Sequence, residues 1–253
     1  MGANFINSCL EKMSQTIEQE AITHLSHGAL EVLMSILSNY TPQCLVRAEV
    51  SAPVSRMSFN DIEGKVFATD FTRAIAVANA DVYRAVTHNK GVMNGIDAVV
   101  IATGNDFRAV EAAVHAYAAK EGRYKSLTQA YIKEDIFHFS IEIPLAIGTV
   151  GGLTKLHPMV KTALQILENP SAETLMKVIA CVGLAQNFAA VSSLVTYGIQ
   201  KGHMKMHLAN ILNQLGATPA QKQEIIAYFK DKTVSHSEVV QAFNKVAGVV
   251  PHQ

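Results

Sequence analysis

The chain has 253 residues, 49% of them apolar and 17% charged, with a formal net charge of zero. That length and apolar content can bury a sizeable core. The even charge balance argues against a nucleic-acid partner or an acidic surface as the ligand.

Residues 8–38 read as mostly helix, because Leu10, Met13 and Ile17 recur at three- and four-residue steps with Glu11, Lys12 and Glu18 between them. Gly28 is placed to break that helix, and Ala29–Leu37 then reads as a second helix or a strand. Over residues 44–52, Val46, Ala48, Val50 and Ala52 alternate with Arg47, Glu49 and Ser51, the pattern of a half-buried strand, closed by Pro53. Helical spacing returns over 61–78 through Ile62, Val66, Phe67, Phe71, Ala74 and Ile75. Lys90 falls in a Gly/Asn-rich stretch, Thr87-His88-Asn89-Lys90-Gly91, read as a turn. Asp97–Ala102, apolar and β-branched, reads as a buried strand or a tightly packed helix. Asn105 is placed to cap the next helix, which Phe107, Val110, Val114 and Tyr117 line on one face.

Phe137, Phe139, Ile141 and Ile143 alternate with His138, Ser140 and Glu142 in another strand, ended by Pro144. Gly148–Gly152 is a loop that opens a helix near Thr154, and Ser171 caps a long apolar helix running to about Tyr197. Val178–Gln200 carries no charge and is long enough to span a bilayer. Gln186, Asn187, Ser192, Ser193, Thr196 and Gln200 interrupt it, so it reads as a buried central helix. Farther on, Thr218–Gln221 with Pro219, and Ser235–Glu238, are capping boxes of a small helical appendage. Cys9, Cys44 and Cys181 are scattered and form no CxxC pair, which fits a reduced cytoplasmic setting better than a disulfide framework. No secretory signal, internal repeat, P-loop or G-x-G-x-x-G after a strand is visible. A dinucleotide, if bound, is not held by the Rossmann device.

The stretch richest in chemistry is Tyr83–Arg108, YRAVTHNKGVMNGIDAVVIATGNDFR. A lysine and an aspartate at the two ends of one buried element can meet in a cleft. There the lysine stabilises a developing oxyanion, and the carboxylate holds the lysine's charge and position. On spacing alone, Lys90 also reads as a solvated surface lysine and Asp106 as a helix cap. His203 and His207 stand at metal-ligand spacing, but no convincing third ligand accompanies them, so no metal is expected. Arg84, Asn94 and Gln186 by themselves fit a helix ion pair and satisfied buried amides.

Tyr83–Arg108 and the string GIQKGHM (198–204) closely resemble the class II, bacterial-type 3-hydroxy-3-methylglutaryl-CoA reductases, and the resemblance continues from Met1 to about Ala217. It implies an α+β fold with three parts: a remnant of a small ferredoxin-like NAD(P)-binding domain over 1–38, a helix-rich catalytic domain over 39–198 with a sheet packed on a central helix, and a three-helix flap over 199–253. It implies reductive deacylation of 3-hydroxy-3-methylglutaryl-CoA to mevalonate and CoA, or the reverse, with NAD or NADP. The implied enzyme is a cytoplasmic homodimer with no nucleic-acid or membrane partner. Lys90 would stabilise the carbonyl oxyanion, Asp106 would link the lysine to the acidic catalyst, and His203 would protonate the departing CoA thiolate. Arg84 would pair with the free carboxylate of the substrate, which its planar fork fits, while Asn94 and Gln186 would hydrogen-bond within the site. Met1 and Gly2 match the tail of a cofactor motif, and Ile36 and Asn39 match positions beside cofactor and substrate. Gly148–Gly152 matches a family turn.

The family's motifs begin before Met1, and its catalytic glutamate and much of its CoA site find no counterpart here. Glu49, Glu63, Glu111 and Glu142 stand in other contexts. Groups acting as one network lose activity non-additively, so the chain by itself is expected to be inactive or nearly so, with apolar surface left exposed. Two other readings stay open. One is a non-catalytic fragment or dimerisation partner of a full-length reductase. The other is an unrelated CoA- or nucleotide-binding oxidoreductase in which VVIATGND forms a nucleotide-site strand.

Overall fold

The computed structural model describes residues 3–24, 30–59, 61–152, 156–196, 207–229, 232 and 234–247. The chain is helix-rich with a three-stranded antiparallel sheet, an α+β arrangement, and it divides into compact units of residues 1–189 and 190–253.

The first helix, α1, spans Ala3–His24 rather than most of 8–38. The expected break at Gly28 lies outside the described residues. Residues 30–38 are neither helix nor paired strand; they run back along α1 in extended form. The Val32 N–H donates to the Glu18 carboxylate at 3.1 Å and the Leu37 N–H to Asn7 Oδ1 at 2.9 Å. None of the α1 residues is buried, and Phe5 (74% exposed) and Leu33 (83%) lie open to solvent.

The sheet has the order β1-β3-β2, with β1 over Leu45–Pro53, β2 over Thr128–Lys133 and β3 over Ile136–Pro144. Its centre is the alternating strand read from Phe137, Phe139, Ile141 and Ile143, all buried. β2 was not expected. It is an edge strand whose side chains are mostly exposed, so its composition carries little alternation. Glu134 and Asp135, at φ 51° and 57°, make the two-residue left-handed turn that joins β2 to β3. Helix α2 (Gly64–Ala80) packs Phe71 against the sheet, its ring 5.4 Å from Phe137 and 5.1 Å from Phe139. Each such fully buried phenylalanine contributes about 1.5–3 kcal/mol.

Helix α3 spans Val82–Ala102, so the stretch around Lys90 is helix, not turn, and Asp97–Ala102 is its last part, not a strand. Ala85, His88, Asn89, Val92, Ile96 and Val100 are all buried at helical spacing, which holds the glycine- and asparagine-rich stretch in helical form. Asp81 caps its start, accepting from the Tyr83 and Arg84 amides. Gly104, at φ 69°, ends it, with the Asn105 N–H reaching Val100 O at 3.0 Å and the Gly104 N–H reaching Ile101 O at 3.1 Å. The cap of α4 (Phe107–Ala118) is Asp106, not Asn105. Asn105 is instead buried and accepts the Gly148 N–H at 2.8 Å, tying this corner to the Gly148–Gly152 loop. From the corner α4 folds back along α3, because Glu111 reaches Asp97.

The helix start expected near Thr154 lies outside the described residues; α5 covers Pro158–Ile166. Helix α6 (Ala172–Val195) opens at Ser171, whose hydroxyl accepts the Thr174 N–H at 3.1 Å. It is long and apolar enough to cross a bilayer. Leu175, Ile179, Leu184 and Asn187 are buried, and its Phe188 ring lies 5.1 Å from Phe71. Cys181, Ala185, Gln186 and Ala189 are exposed, so the helix expected to be central is covered on one side only.

The division between the two units falls inside α6. The second unit contains a helix over 207–214 (α7), α8 (Pro219–Tyr228) and α9 (His236–Ala247) around a core of Leu208, Ile211, Leu212, Ile225, Phe229 and Val239. Thr218 and Gln221 form the reciprocal capping box read from the sequence, and the Ser235 hydroxyl accepts the Glu238 N–H.

Candidate active site

Helix α3 carries three of the expected residues. Lys90 and Asn94 are one turn apart on its exposed face. Among the described residues the Lys90 ammonium has no ion-pair or hydrogen-bond partner. Arg84 stands six residues earlier, about 9 Å along the axis and about 120° around it. Partial burial pushes its guanidinium pKa down from the usual value.

Asp106 sits at the far end. Lys90 precedes the last residue of α3 by twelve positions, about 18 Å at the helical rise of about 1.5 Å per residue. Beyond that end the chain turns back through α4. Within one copy of the chain, Lys90 and the corner that carries Asp106 are thus separated along α3 by that rise. Locally Asp106 is a cap: its Oδ1 accepts from the Arg108 N–H at 3.1 Å and the Ala109 N–H at 3.3 Å, and Arg108 Nε stands 3.4 Å away. All three contacts use Oδ1. Oδ2 has no partner among the described residues.

Gln186 approaches from α6. A Cβ added at Gly95 would lie 2.8 Å from the Gln186 Cβ and 2.9 Å from Val182 O, so α3 and α6 cross closely there. Asn94, next to Gly95 in the chain, and Gln186 are both exposed. Beneath them lies a layer that sequence reasoning missed. His88, Asn89, Thr128 and Asn187 are all buried polar groups. Asn89 donates to Lys125 O at 2.8 Å and accepts from the Leu127 N–H at 2.9 Å. Burial, with the Arg84 charge adding, pushes the His88 pKa down to about 4. The only hint in the sequence was the placing of amides beside apolar neighbours, as in LAQNFAA (184–190).

A second missed group joins α3 to α4. Burial, then the hydrogen bond to Glu111 and its charge, pushes the Asp97 pKa up to about 7. Asp97 Oδ1 is buried with no hydrogen-bond partner among the described residues. Glu111 in turn lies 3.8 Å from His115 Nε2, and His115 Nδ1 is 2.7 Å from the Tyr124 hydroxyl.

His203, Met1 and Gly2 lie outside the described residues. Ile36 and Asn39 stand exposed on the extended segment beside α1. With α1 unburied and that segment open, the described residues here do not by themselves enclose a dinucleotide. A separate cavity of about 430 Å³ is bordered by Arg47, Tyr117, Lys120, Arg123, Lys125 and Glu142 and contains none of the expected residues. Its cations are already engaged: Lys125 with Glu121 at 2.6 Å, Arg47 with Glu49 at 2.9 Å, Lys120 with Glu142 at 3.8 Å, and Arg123 with the carbonyl oxygens of Asn79 at 2.8 Å and Ala80 at 3.3 Å.

The chain belongs to the hydroxymethylglutaryl-coenzyme A reductase family, whose model matches residues 1–208. It is 42% identical over 227 residues to the 3-hydroxy-3-methylglutaryl-coenzyme A reductase of Archaeoglobus fulgidus, covering 89% of this chain and 49% of that one. It is 34% identical over 248 residues to a probable 3-hydroxy-3-methylglutaryl-coenzyme A reductase of Borreliella burgdorferi, covering 96% and 54%. Among solved structures, the Streptococcus pneumoniae 3-hydroxy-3-methylglutaryl-coenzyme A reductase superposes with a TM-score of 0.71 at 37% identity, over 97% of this chain and 57% of that one. A class II reductase from the same organism, solved bound to NADPH in open conformations, gives 0.70 at 41% identity over 77% and 52%. The chain thus spans about half the length of the curated relatives it matches.

Proposed function

We propose that this chain supplies the carbonyl-polarising part of a hydroxymethylglutaryl-CoA reductase. The reaction is reductive deacylation of 3-hydroxy-3-methylglutaryl-CoA to mevalonate and CoA, or its reverse, with NAD or NADP as the hydride carrier. The observation that carries this reading is the exposed α3 face, where Lys90, unpaired among the described residues, stands one turn from Asn94, with Gln186 packed on the adjacent Gly95. A lysine without a competing partner can donate to the thioester carbonyl oxygen and stabilise the charge that develops there. Arg84 pairs with the free carboxylate of the substrate, and Asn94 and Gln186 hydrogen-bond to it. His203 protonates the thiolate that leaves.

The 18 Å rise between Lys90 and the end of α3 supports a site shared by two copies, with Lys90 from one and Asp106 from the other meeting across a homodimer interface. Asp106 Oδ2, without a partner among the described residues, is the atom that faces the lysine in this arrangement. Residues 1–38, with Met1, Gly2, Ile36 and Asn39, form one side of the NAD(P) site, and residues 199–253 close as a helical flap. The setting is cytoplasmic, with neither nucleic acid nor membrane as a partner.

The test is cofactor oxidation with 3-hydroxy-3-methylglutaryl-CoA. It is run on the purified chain alone and on the chain co-expressed with the N-terminal half of a full-length relative. Turnover is expected only from the pair, and Lys90→Ala is expected to remove about 1000-fold of it with the thermal melt unchanged. Turnover of about 1–1000 per second from the chain alone would show that it needs no complement. Undiminished turnover in K90A would overturn the assignment.

A further inference from the structure

Beneath the exposed α3–α6 crossing, three side chains close a ring. His88 Nε2 lies 2.7 Å from Thr128 Oγ1, Thr128 Oγ1 lies 3.1 Å from Asn187 Oδ1, and Asn187 Nδ2 returns to the His88 carbonyl at 3.5 Å. The three residues are 2%, 0% and 1% exposed. They belong to α3, β2 and α6, at sequence separations of 40, 59 and 99 residues.

The direction of every hydrogen in the ring follows from chemistry. A backbone carbonyl only accepts, so the amide nitrogen of Asn187 must face His88 O, and its Oδ1 must face Thr128. That oxygen also only accepts, so the single Thr128 hydroxyl hydrogen points to Asn187; Ser126 Oγ, 3.2 Å from the same hydroxyl, gives its own hydrogen to Thr128 O at 2.9 Å. The Thr128 oxygen is then an acceptor toward His88, and the proton of the imidazole must sit on Nε2. Nδ1 is left as a bare, buried lone pair with no hydrogen-bond partner among the described residues. Adding a second proton there would create an unpaired imidazolium close to Arg84, the charged group that acts on this ring.

We infer that His88, locked as the neutral Nε2–H form through Thr128 and Asn187, is a positioning residue that holds the Lys90 turn of α3 in register with the Gln186 turn of α6. His88 lies two residues before Lys90, and Asn187 follows Gln186 directly. A slip of either helix breaks two buried hydrogen bonds at once, and buried polar groups left unmade are costly. The close approach at Gly95 resists separation of the helices, and the ring resists their sliding. This inference rests on the roles given above to Lys90 and Gln186.

The experiment is histidine nitrogen NMR on the full chain, with the His88 signal identified by its loss in His88→Gln. The expected result is a protonated Nε2, a bare Nδ1 and no titration between pH 7 and about 5. The opposite tautomer, or ordinary titration, overturns the ring. Amide exchange over residues 88–95 and 184–189 is then compared in Thr128→Val, which keeps shape, and Thr128→Ser, which keeps the hydroxyl. About tenfold faster exchange is expected in T128V, and near-normal exchange in T128S and H88Q, since a glutamine amide can supply the same donor. Equal acceleration in all three would show simple packing and overturn the positioning role. In the complemented enzyme T128V should lower kcat about tenfold or more with KM little changed, and T128S should restore it. No turnover in the unsubstituted pair would count against the proposed function alone, because the tautomer and exchange readouts need no substrate.

Discussion

Gly95 of α3 lies so close to Gln186 of α6 that an added methyl would sit 2.8 Å from the Gln186 Cβ and 2.9 Å from the Val182 carbonyl oxygen. Two effects oppose each other at this position. Gly→Ala in a helix gains up to about 1 kcal/mol of propensity, while overpacking a tight contact costs about 1–3 kcal/mol. One of the two clashing atoms is backbone, which cannot swing aside, so the clash should win. Gly95→Ala is expected to destabilise the chain by about 1–2 kcal/mol in urea denaturation. A more stable G95A would mean that α3 and α6 do not meet this closely.

Asp106 separates structure from chemistry. Asparagine caps helices about as well as aspartate, whereas alanine does not. Asp106→Ala should therefore lose about 1 kcal/mol of stability, and Asp106→Asn only a few tenths. In the complemented enzyme both should lose turnover, because only a carboxylate can balance the Lys90 charge. An active D106N would reduce this aspartate to a cap.

Stability should fall on the acid side through His88. Its folded pKa of about 4 lies below the ordinary imidazole value of 6.5. Between those values the unfolded chain binds the proton and the folded chain does not. The contribution is complete above pH 6.5 and is lost as pH falls toward about 4, roughly 3 kcal/mol in all. Subtracting the urea-derived stability of His88→Gln from that of the unsubstituted chain, pH by pH, isolates this slope. A flat difference would mean that His88 is solvated or differently paired.

Asp97 acts with the opposite sign. Its folded pKa, about 7, lies above the ordinary aspartate value of 3.8, so the folded chain binds the extra proton in that window. Its stabilising contribution is present below pH 3.8 and is lost as pH rises through about 7, where the half-buried Asp97 must take up its charge. Glu111 also faces His115, at 3.8 Å. Asp97→Asn is expected to gain stability relative to the unsubstituted chain as pH rises from about 4 to 8. Parallel curves would show that the two carboxyl groups do not share a proton.

Local patterns were readable wherever neighbouring residues decide the outcome. The alternation of Val46 and Ala48, and of Phe137 to Ile143, specified β1 and β3, because successive side chains in a strand point to opposite faces. The Thr218–Gln221 capping box and the Ser171 hydroxyl cap were visible because a cap needs only residues three apart. The family strings around Lys90 and Asp106 were equally plain, since they are read in order along the chain. What residues adjacent in sequence could not decide came from packing. Thr87–Gly91 is helix because Ala85, His88, Val92 and Ile96 bury one face, not because its composition favours a helix. Lys90 and Asp106 are held apart because a helix advances about 1.5 Å with every residue, a distance that motif spacing does not express. The ring of His88, Thr128 and Asn187 joins positions up to 99 residues apart, and only the folded chain brings those groups within hydrogen-bonding reach.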